Sequence, residues 1–196
     1  KNSDDKYSIE KSIQYMSLSQ FDKYFPDILK LYTNADGTMN LDNFISMVWG
    51  YCNSEVQLNY FEKFKDIINQ TATNNNKDFY VYRLLESSSE EAQKVFLQNL
   101  LEESRTNGGA LSLSKVDDIL SHTSKNVDIS DDYFEEILSL VNPEKYSSVV
   151  KFYNVWQNIG LHAQQKYLPT MLNHLEIFNF VELWNRTDLE AQKNLY

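Results

Sequence analysis

The side chains that most often bind metals or act as nucleophiles are scarce in this sequence. There is one cysteine, Cys52, and there are three histidines, His122, His162 and His174. A single cysteine forms no internal disulfide and supplies no cysteine-based zinc cluster. None of the histidines lies in an H-E-x-x-H sequence, and they are too widely scattered to predict a shared metal site.

Motifs for acyl-transfer, phosphate or dinucleotide chemistry are also missing. The chain has no G-x-S-x-G, P-loop or G-x-G-x-x-G sequence, and the adjacent glycines Gly108 and Gly109 are better explained as a loop turn. Carboxylates occur in adjacent pairs such as Asp117 and Asp118, but neighbouring residues of a helix point in different directions. The sequence therefore predicts a protein that is not an enzyme.

The balance of charge bears on the partners of the chain. Its 196 residues include 28 acidic and 18 basic side chains, which gives a formal net charge of −10. Such a field repels a phosphate backbone, so we expect no nucleic-acid partner, and it favours a basic peptide or helix. No apolar run approaches the roughly 20 residues of a membrane-spanning helix, so no membrane span is predicted.

The amino terminus and the cysteine content indicate a compartment. The first residues, KNSDDKYS, are polar and do not have the pattern of a signal peptide. With one cysteine, the chain needs no oxidising environment. We expect an intracellular protein, cytoplasmic or organellar, whose amino terminus is processed or truncated because it lacks an initiator Met.

Apolar residues recur at intervals of three and four along most of the chain, which is the pattern of amphipathic helices. Two of these stripes are Phe21, Phe25, Ile28, Leu29 and Tyr32, and Leu58, Phe61, Phe64, Ile67 and Ile68. Two capping-box pairs, Ser54 with Gln57 and Ser88 with Glu91, predict helix starts. The sequence therefore predicts an all-α protein with short polar connections.

The first of these connections has a more specific pattern. In residues 25–49, FPDILKLYTNADGTMNLDNFISMVW, a helix leads into a polar loop with Gly37 at its centre, Met39 follows two residues later, and Asn40 can cap the next helix. This arrangement resembles an EF-hand, specifically the first hand of the calmodulin family, although its loop is one residue short. In that family the apolar residue after the glycine joins a short β-bridge. The resemblance implies a bridge between Met39 and Phe79.

Three later connections follow the same plan more loosely. The first apolar positions of the four exiting helices are Phe44, Leu84, Val116 and Phe152, at about the spacing of one helix–loop–helix unit. The resemblance implies an all-α fold of four EF-hand-like units in two lobes plus a carboxyl-terminal helical extension. The segments are a leader at 1–17, a first EF-hand-like pair at 18–87, a second pair at 88–160 and the extension at 161–196. A generic α-helical bundle or solenoid is the alternative.

The four loops are poor calcium sites. Calcium prefers six to eight oxygen ligands, usually with a bidentate glutamate that closes the loop. The closing positions here hold other residues, namely Asn43, Arg83, Lys115 and Lys151. A cation at that position repels calcium, so we expect no cofactor and no calcium at the second, third and fourth loops. The first loop alone retains weak candidate ligands, Asp36 and Asn40.

In the EF-hand family, paired hands form an apolar groove that binds an amphipathic helix, and metal-free relatives bind their target constitutively. The resemblance therefore implies a non-enzymatic calmodulin-like protein that has largely lost calcium binding. It would hold a basic amphipathic helix of a partner protein as a constitutive subunit of a larger assembly. The candidate partner-binding residues are Met47, Trp49, Leu84, Phe152, Trp156, Phe178 and Trp184. Ordinary core packing is the alternative interpretation for most of them.

Two further functions stay open. The chain is alternatively a structural all-helical scaffold subunit with no groove-type ligand, or the regulatory EF-hand region of a longer chain associated with a kinase or phosphatase. The extension at 161–196 is dense in apolar residues, so we expect it to pack on the body of the protein or on a neighbour in an assembly.

Overall fold

The structure is a computed structural model, and it describes residues 11–194. Across this range the chain is all-α and contains no β-strand, which confirms the all-α part of the predicted fold. None of the helices between these limits is long and apolar enough to cross a membrane. The chain divides into two compact units, residues 1–92 and 93–196, which are described separately below.

The first unit contains helices α1 (Leu18–Tyr32), α2 (Leu41–Met47), α3 (Ser54–Thr71) and α4 (Lys77–Glu86), with 3-10 turns at Trp49–Tyr51 and Asn74–Asn76. Helix α5 (Glu90–Glu103) includes the boundary between the units. The second unit continues with α6 (Leu113–Ser121), α7 (Asp131–Ser139), α8 (Tyr146–Asn158), α9 (Leu161–Leu172), α10 (Phe180–Asn185) and α11 (Leu189–Lys193).

Side-chain caps fix where several of these helices begin. Helix α1 starts with a capping box between Ser17 and Gln20, in which each side chain accepts the backbone N–H of the other residue. The capping boxes predicted at Ser54 and Ser88 are wrong by one residue. Asn53 caps α3 at 3.0 Å, and Ser89 accepts a backbone N–H from the first turn of α5 at 3.3 Å.

The core of the first unit is aromatic. Phe44 stacks on Phe64 with ring centroids 4.7 Å apart, and Trp49 lies 4.7 Å from the same ring. Phe25 of α1 approaches Phe64 at 5.8 Å, so three segments meet at one α3 side chain. Burial of each such side chain contributes about 1.5–3 kcal/mol. Most residues of the two predicted stripes are buried, but Leu29 and Ile67 are half-buried and Leu58 is 42 % exposed.

The core of the second unit includes the predicted extension. Phe134 of α7 stacks on Tyr167 of α9 with ring centroids 3.8 Å apart. Phe152 of α8 stacks on Phe178 at 4.8 Å. Tyr167 and Phe178 both belong to the segment 161–196, so the described part of that segment packs on the body of its own unit.

The first loop closes on itself. Met39 forms an isolated antiparallel bridge with Thr33 across the same loop. Phe79, the partner implied by the EF-hand resemblance, lies in α4 and is 52 % exposed. The expected Met39–Phe79 bridge is therefore wrong. The physical reason is that the turn at Asn74–Asn76 continues directly into α4, which leaves no extended backbone beside Phe79 for pairing.

Two other predictions for this loop are confirmed. Gly37 adopts a φ of +84°, which lies in the left-handed region that side chains disfavour. Asn40 caps α2, because its side-chain oxygen accepts the N–H of Asn43 at 3.1 Å. The chain therefore turns sharply at the glycine and enters α2 through an asparagine cap.

A buried glutamine connects three segments of the first unit. Gln57 donates its amide N–H to the carbonyl of Trp49 at 3.1 Å and accepts the N–H of Ser89 at 2.8 Å. The indole N–H of Trp49 in turn reaches the carbonyl of Leu84 at 2.8 Å. These bonds tie the start of α3 to the turn before it and to the end of α4.

The second unit repeats this arrangement. Gln164 donates to the carbonyl of Trp156 at 2.7 Å and accepts the N–H of Asp188 at 2.7 Å. The indole N–H of Trp156 bonds the hydroxyl of Thr187 at 2.9 Å. In both units the glutamine follows the tryptophan by eight residues.

A tyrosine three positions after each glutamine also has the same role in both units. Tyr60 donates its hydroxyl to Asp22 of α1, and Tyr167 donates to Asp131 of α7. Burial first, and then the neighbouring carboxylate, raises the pKa of both phenols. Each hydroxyl therefore stays protonated and holds two helices together.

Helix α9 begins in a different way from α3. Its residue before the first turn is Gly160, with a φ of +98°, where α3 has the capping residue Asn53. The N–H of Ala163 is instead satisfied by Asp128, whose carboxylate lies 2.9 Å away. The cap of α9 thus comes from a segment 35 residues earlier in the chain.

Candidate functional site

Five of the seven predicted partner-binding residues lie in the cores. The exposed fraction is 0 % or 1 % for Trp49, Leu84, Phe152, Trp156 and Phe178. Met47 is 38 % exposed, and Trp184 is half-buried. Core packing, the alternative interpretation, therefore describes the five, and a partner does not reach them in this structure. An apolar stripe in a sequence predicts which side chains are buried. It does not tell whether they are buried by the protein's own helices or by a partner.

The weak calcium ligands of the first loop are engaged within the loop. Asp36 accepts the hydroxyl of Thr38 at 2.6 Å and its N–H at 2.9 Å, and these bonds lower the pKa of the Asp36 carboxyl. Asn40 is the cap of α2. Arg83, at the closing position of the second loop, pairs with Asp42. Between residues 11 and 194, no three His, Cys, Asp or Glu side chains are grouped to hold a metal ion.

The cysteine and the histidines lie in the core or near helix ends and ion pairs, not in a shared reactive site. Cys52 is buried, its thiol contacts the Val48 carbonyl at 3.2 Å, and burial raises the pKa of the thiol, so the reactive thiolate is disfavoured. His162 lies 3.2 Å from Asp128, the carboxylate that caps α9. His122 stands at the end of α6.

An ion cluster centred on Arg105 closes the third loop. The guanidinium donates to Glu102 at 2.7 Å, to Glu136 at 2.6 Å and to the carbonyl of Gly109 at 2.9 Å. The hydroxyl of Tyr133 adds a bond to Glu102 at 2.5 Å. The bonds from Arg105 and then Tyr133 lower the pKa of Glu102 to about 2, and Arg105 also lowers that of Glu136. An internal cation thus joins this loop to α7.

Replacing Arg105 with glutamine should raise the pKa of Glu102 from about 2 towards its ordinary value near 4.3. A carboxyl whose folded pKa is depressed stabilises the protein above its unfolded pKa, and the contribution disappears as pH falls towards the folded pKa. The variant should therefore lose less stability than the wild type between about pH 4.5 and pH 2. NMR titration of the glutamate carboxyls and urea unfolding at each pH measure this.

The control for that experiment is lysine at position 105. Lysine keeps the positive charge but cannot form the forked bonds of a guanidinium, so the pKa of Glu102 should take an intermediate value. An unchanged pKa of Glu102 in the glutamine variant would show that Arg105 is not its main stabilising partner.

The second unit carries an open groove of about 620 Å³. One wall is an apolar stripe on α8 formed by Tyr146, Val149, Val150 and Tyr153, and Ile177 contributes to the other side. We call this the α8–α10 groove, because Glu182 of α10 also borders it. The spacing of the stripe is that of one helix face. The sequence contains this signal, but the neighbouring core residues of α8 obscure it.

The charged side chains of the groove are mostly acidic. Glu144 and Glu182 border it, and the single cation is Arg186. Arg186 is already engaged, since it donates to Asn154 at 2.7 Å and lies 3.8 Å from Glu182. The second unit as a whole has fourteen acidic and nine basic side chains. The electrostatic field at the groove therefore favours a positively charged ligand.

Comparisons with known proteins give no relative from which a role could be transferred. No protein-family model matches the chain, and no curated protein or solved structure matches it significantly.

Proposed function

We propose that this chain is a non-enzymatic, calmodulin-like helical protein that binds an amphipathic helix of a partner protein without calcium, as a constitutive subunit of a larger assembly. The observation that carries the proposal is the α8–α10 groove, where Tyr146 is exposed and Val150 is half-buried beside the buried Val149 and Tyr153. Amphipathic helices dock their apolar faces into such grooves.

The buried polar groups of the described residues are satisfied by the protein's own atoms. Within residues 11–194, every buried side-chain nitrogen or oxygen has a hydrogen-bond partner. A small-molecule site usually presents a few polar groups that wait for the ligand. Among the described residues, no fully buried side-chain polar group is left waiting for a ligand.

The proposal includes EF-hand-like helix pairs whose loops do not bind calcium. The first and third loops turn in the same way, at Gly37 with φ +84° and at Gly109 with φ +83°. In each loop the glycine N–H bonds a carbonyl three residues earlier, at Asn34 and at Thr106. The guanidinium of Arg105 places a positive charge of the protein itself beside the third loop. A positive charge there repels calcium, which supports a calcium-free mode of action.

Isothermal titration of the full chain with two designed helical peptides tests the proposal. The peptides share one pattern of leucines, and the remaining positions are lysine in one and glutamate in the other. We expect micromolar affinity for the lysine peptide and about tenfold or more weaker binding of the glutamate peptide, a difference of about 1.4 kcal/mol or more. Chelator or added calcium should leave both values unchanged.

Three results would count against the proposal. Failure of both peptides to bind would favour the scaffold alternative. A preference for the glutamate peptide would contradict the electrostatic argument. A lysine-peptide affinity that rises with micromolar calcium would contradict constitutive binding.

A further inference from the structure

We infer that the α8–α10 groove itself receives the partner helix, and that this helix carries a pair of adjacent apolar side chains flanked by a basic residue on each side. The inference rests on the proposed function. It places the partner on a surface that differs from the buried residues identified in the sequence.

The dimensions of the groove set the length of the contact. The stripe from Tyr146 to Tyr153 covers two turns of α8, which is about 10 Å at 1.5 Å per residue. Tyr146 is 82 % exposed at one end, while Val149 and Tyr153 are more than nine-tenths buried and form the floor. A groove of this length accepts about two turns of a partner helix.

The exposed aromatic side chain at one end of the groove is where we expect the partner helix to bind most strongly. Tyr146 combines a large apolar ring with a hydroxyl, the type of side chain enriched at interface hot spots. At the other end, Tyr153 is held in place because its hydroxyl accepts the N–H of Asn179 at 2.7 Å. The groove therefore has one rigid end and one accessible aromatic end.

The two acidic side chains lie at opposite ends of the stripe. Glu144 precedes Tyr146 by two residues, and Glu182 lies near Tyr153, which Arg186 contacts at 5.9 Å. Basic residues about seven positions apart on a helix span the same 10 Å. The occupant is thus a helix with the pattern basic-x-x-apolar-apolar-x-x-basic, in which the apolar pair faces Val150.

The experiment is a double-mutant cycle on the full chain. A helical peptide with lysines at positions 1 and 8 and leucines at positions 4 and 5 of this pattern is titrated into the wild type and into Glu144→Lys. A second peptide, with the first lysine changed to glutamate, is titrated into both. We expect either single charge reversal to weaken binding about tenfold, and the two together to restore most of the affinity.

Apolar contact is tested with Tyr146→Ala, and Phe79→Ala is the matched control. Phe79 is an exposed aromatic residue of a helix in the first unit. We expect Tyr146→Ala to weaken binding about tenfold or more and Phe79→Ala to change it by less than about twofold. Both side chains are exposed, so circular dichroism should show unchanged helicity in both variants.

The outcomes separate this inference from the proposed function. If the wild type binds the lysine peptide but neither Tyr146→Ala nor Glu144→Lys alters the affinity, the groove is not the site and this inference is wrong, while binding of a basic helix is itself observed and supports the proposed function at another surface. If the wild type binds no peptide, the proposed function itself fails. If the wild type forms a dimer that Tyr146→Ala dissociates, a second copy occupies the groove and the inference of a partner helix is wrong.

Discussion

Replacing Gly160 with alanine should lower the free energy of unfolding by about 3–5 kcal/mol. An added Cβ would lie 2.4 Å from the carboxylate of Asp128 and 2.8 Å from the backbone carbonyl of Val127. The φ of +98° adds backbone strain for any residue with a side chain. Relief of the overlap requires Asp128 to move, which breaks its bond to Ala163 and uncaps α9.

Gly37→Ala is the matched control for this effect. Gly37 has a similar φ of +84°, but an added Cβ would meet no atom within 4 Å. This variant should therefore lose only the strain component, about 1 kcal/mol. Urea unfolding followed by circular dichroism measures both. Equal costs at the two positions would show that the close approach of Asp128 is unimportant.

Replacing Gln164 with leucine should cost about 2–5 kcal/mol. Leucine is similar in size, but it leaves the Trp156 carbonyl and the Asp188 N–H without this partner. Each buried polar group that loses its partner costs about 1–3 kcal/mol. Hydrogen exchange at the Asp188 amide should become faster, in addition to the loss measured by urea unfolding.

The adjacent Gln165 provides the control, since it is half-buried on the same helix. Gln165→Leu should change stability by no more than about 0.5 kcal/mol. If Gln164→Leu proves as mild as this control, the buried amide does not hold α8 and the start of α11 to α9.

The helical content and most of the core were predictable, because amphipathic stripes depend on local spacing. Phe21, Phe25 and Ile28 followed from their three- and four-residue intervals and are buried. The glycine turn at Gly37 and the cap at Asn40 followed from local chemistry in the same way. These features depend on residues that are close together in the chain.

Features that depend on distant residues were not predictable. Gln57 looked like part of a capping box, but its amide serves the core, because a carbonyl and an N–H from other segments converge on it. Gly160 carries no local signal of a special role, because its constraint comes from the distant residues Val127 and Asp128. The groove face of α8 was not predictable, because α8 has two apolar faces and the spacing alone does not tell which of them packs in the core.

The glutamine, tryptophan and tyrosine contacts recur in the two units. Gln57 and Gln164 each bond a tryptophan carbonyl eight residues back, and Tyr60 and Tyr167 each reach an aspartate on another helix. The shared set of contacts, at the same intervals of eight and three residues, makes the two units an internal structural repeat in their buried polar contacts.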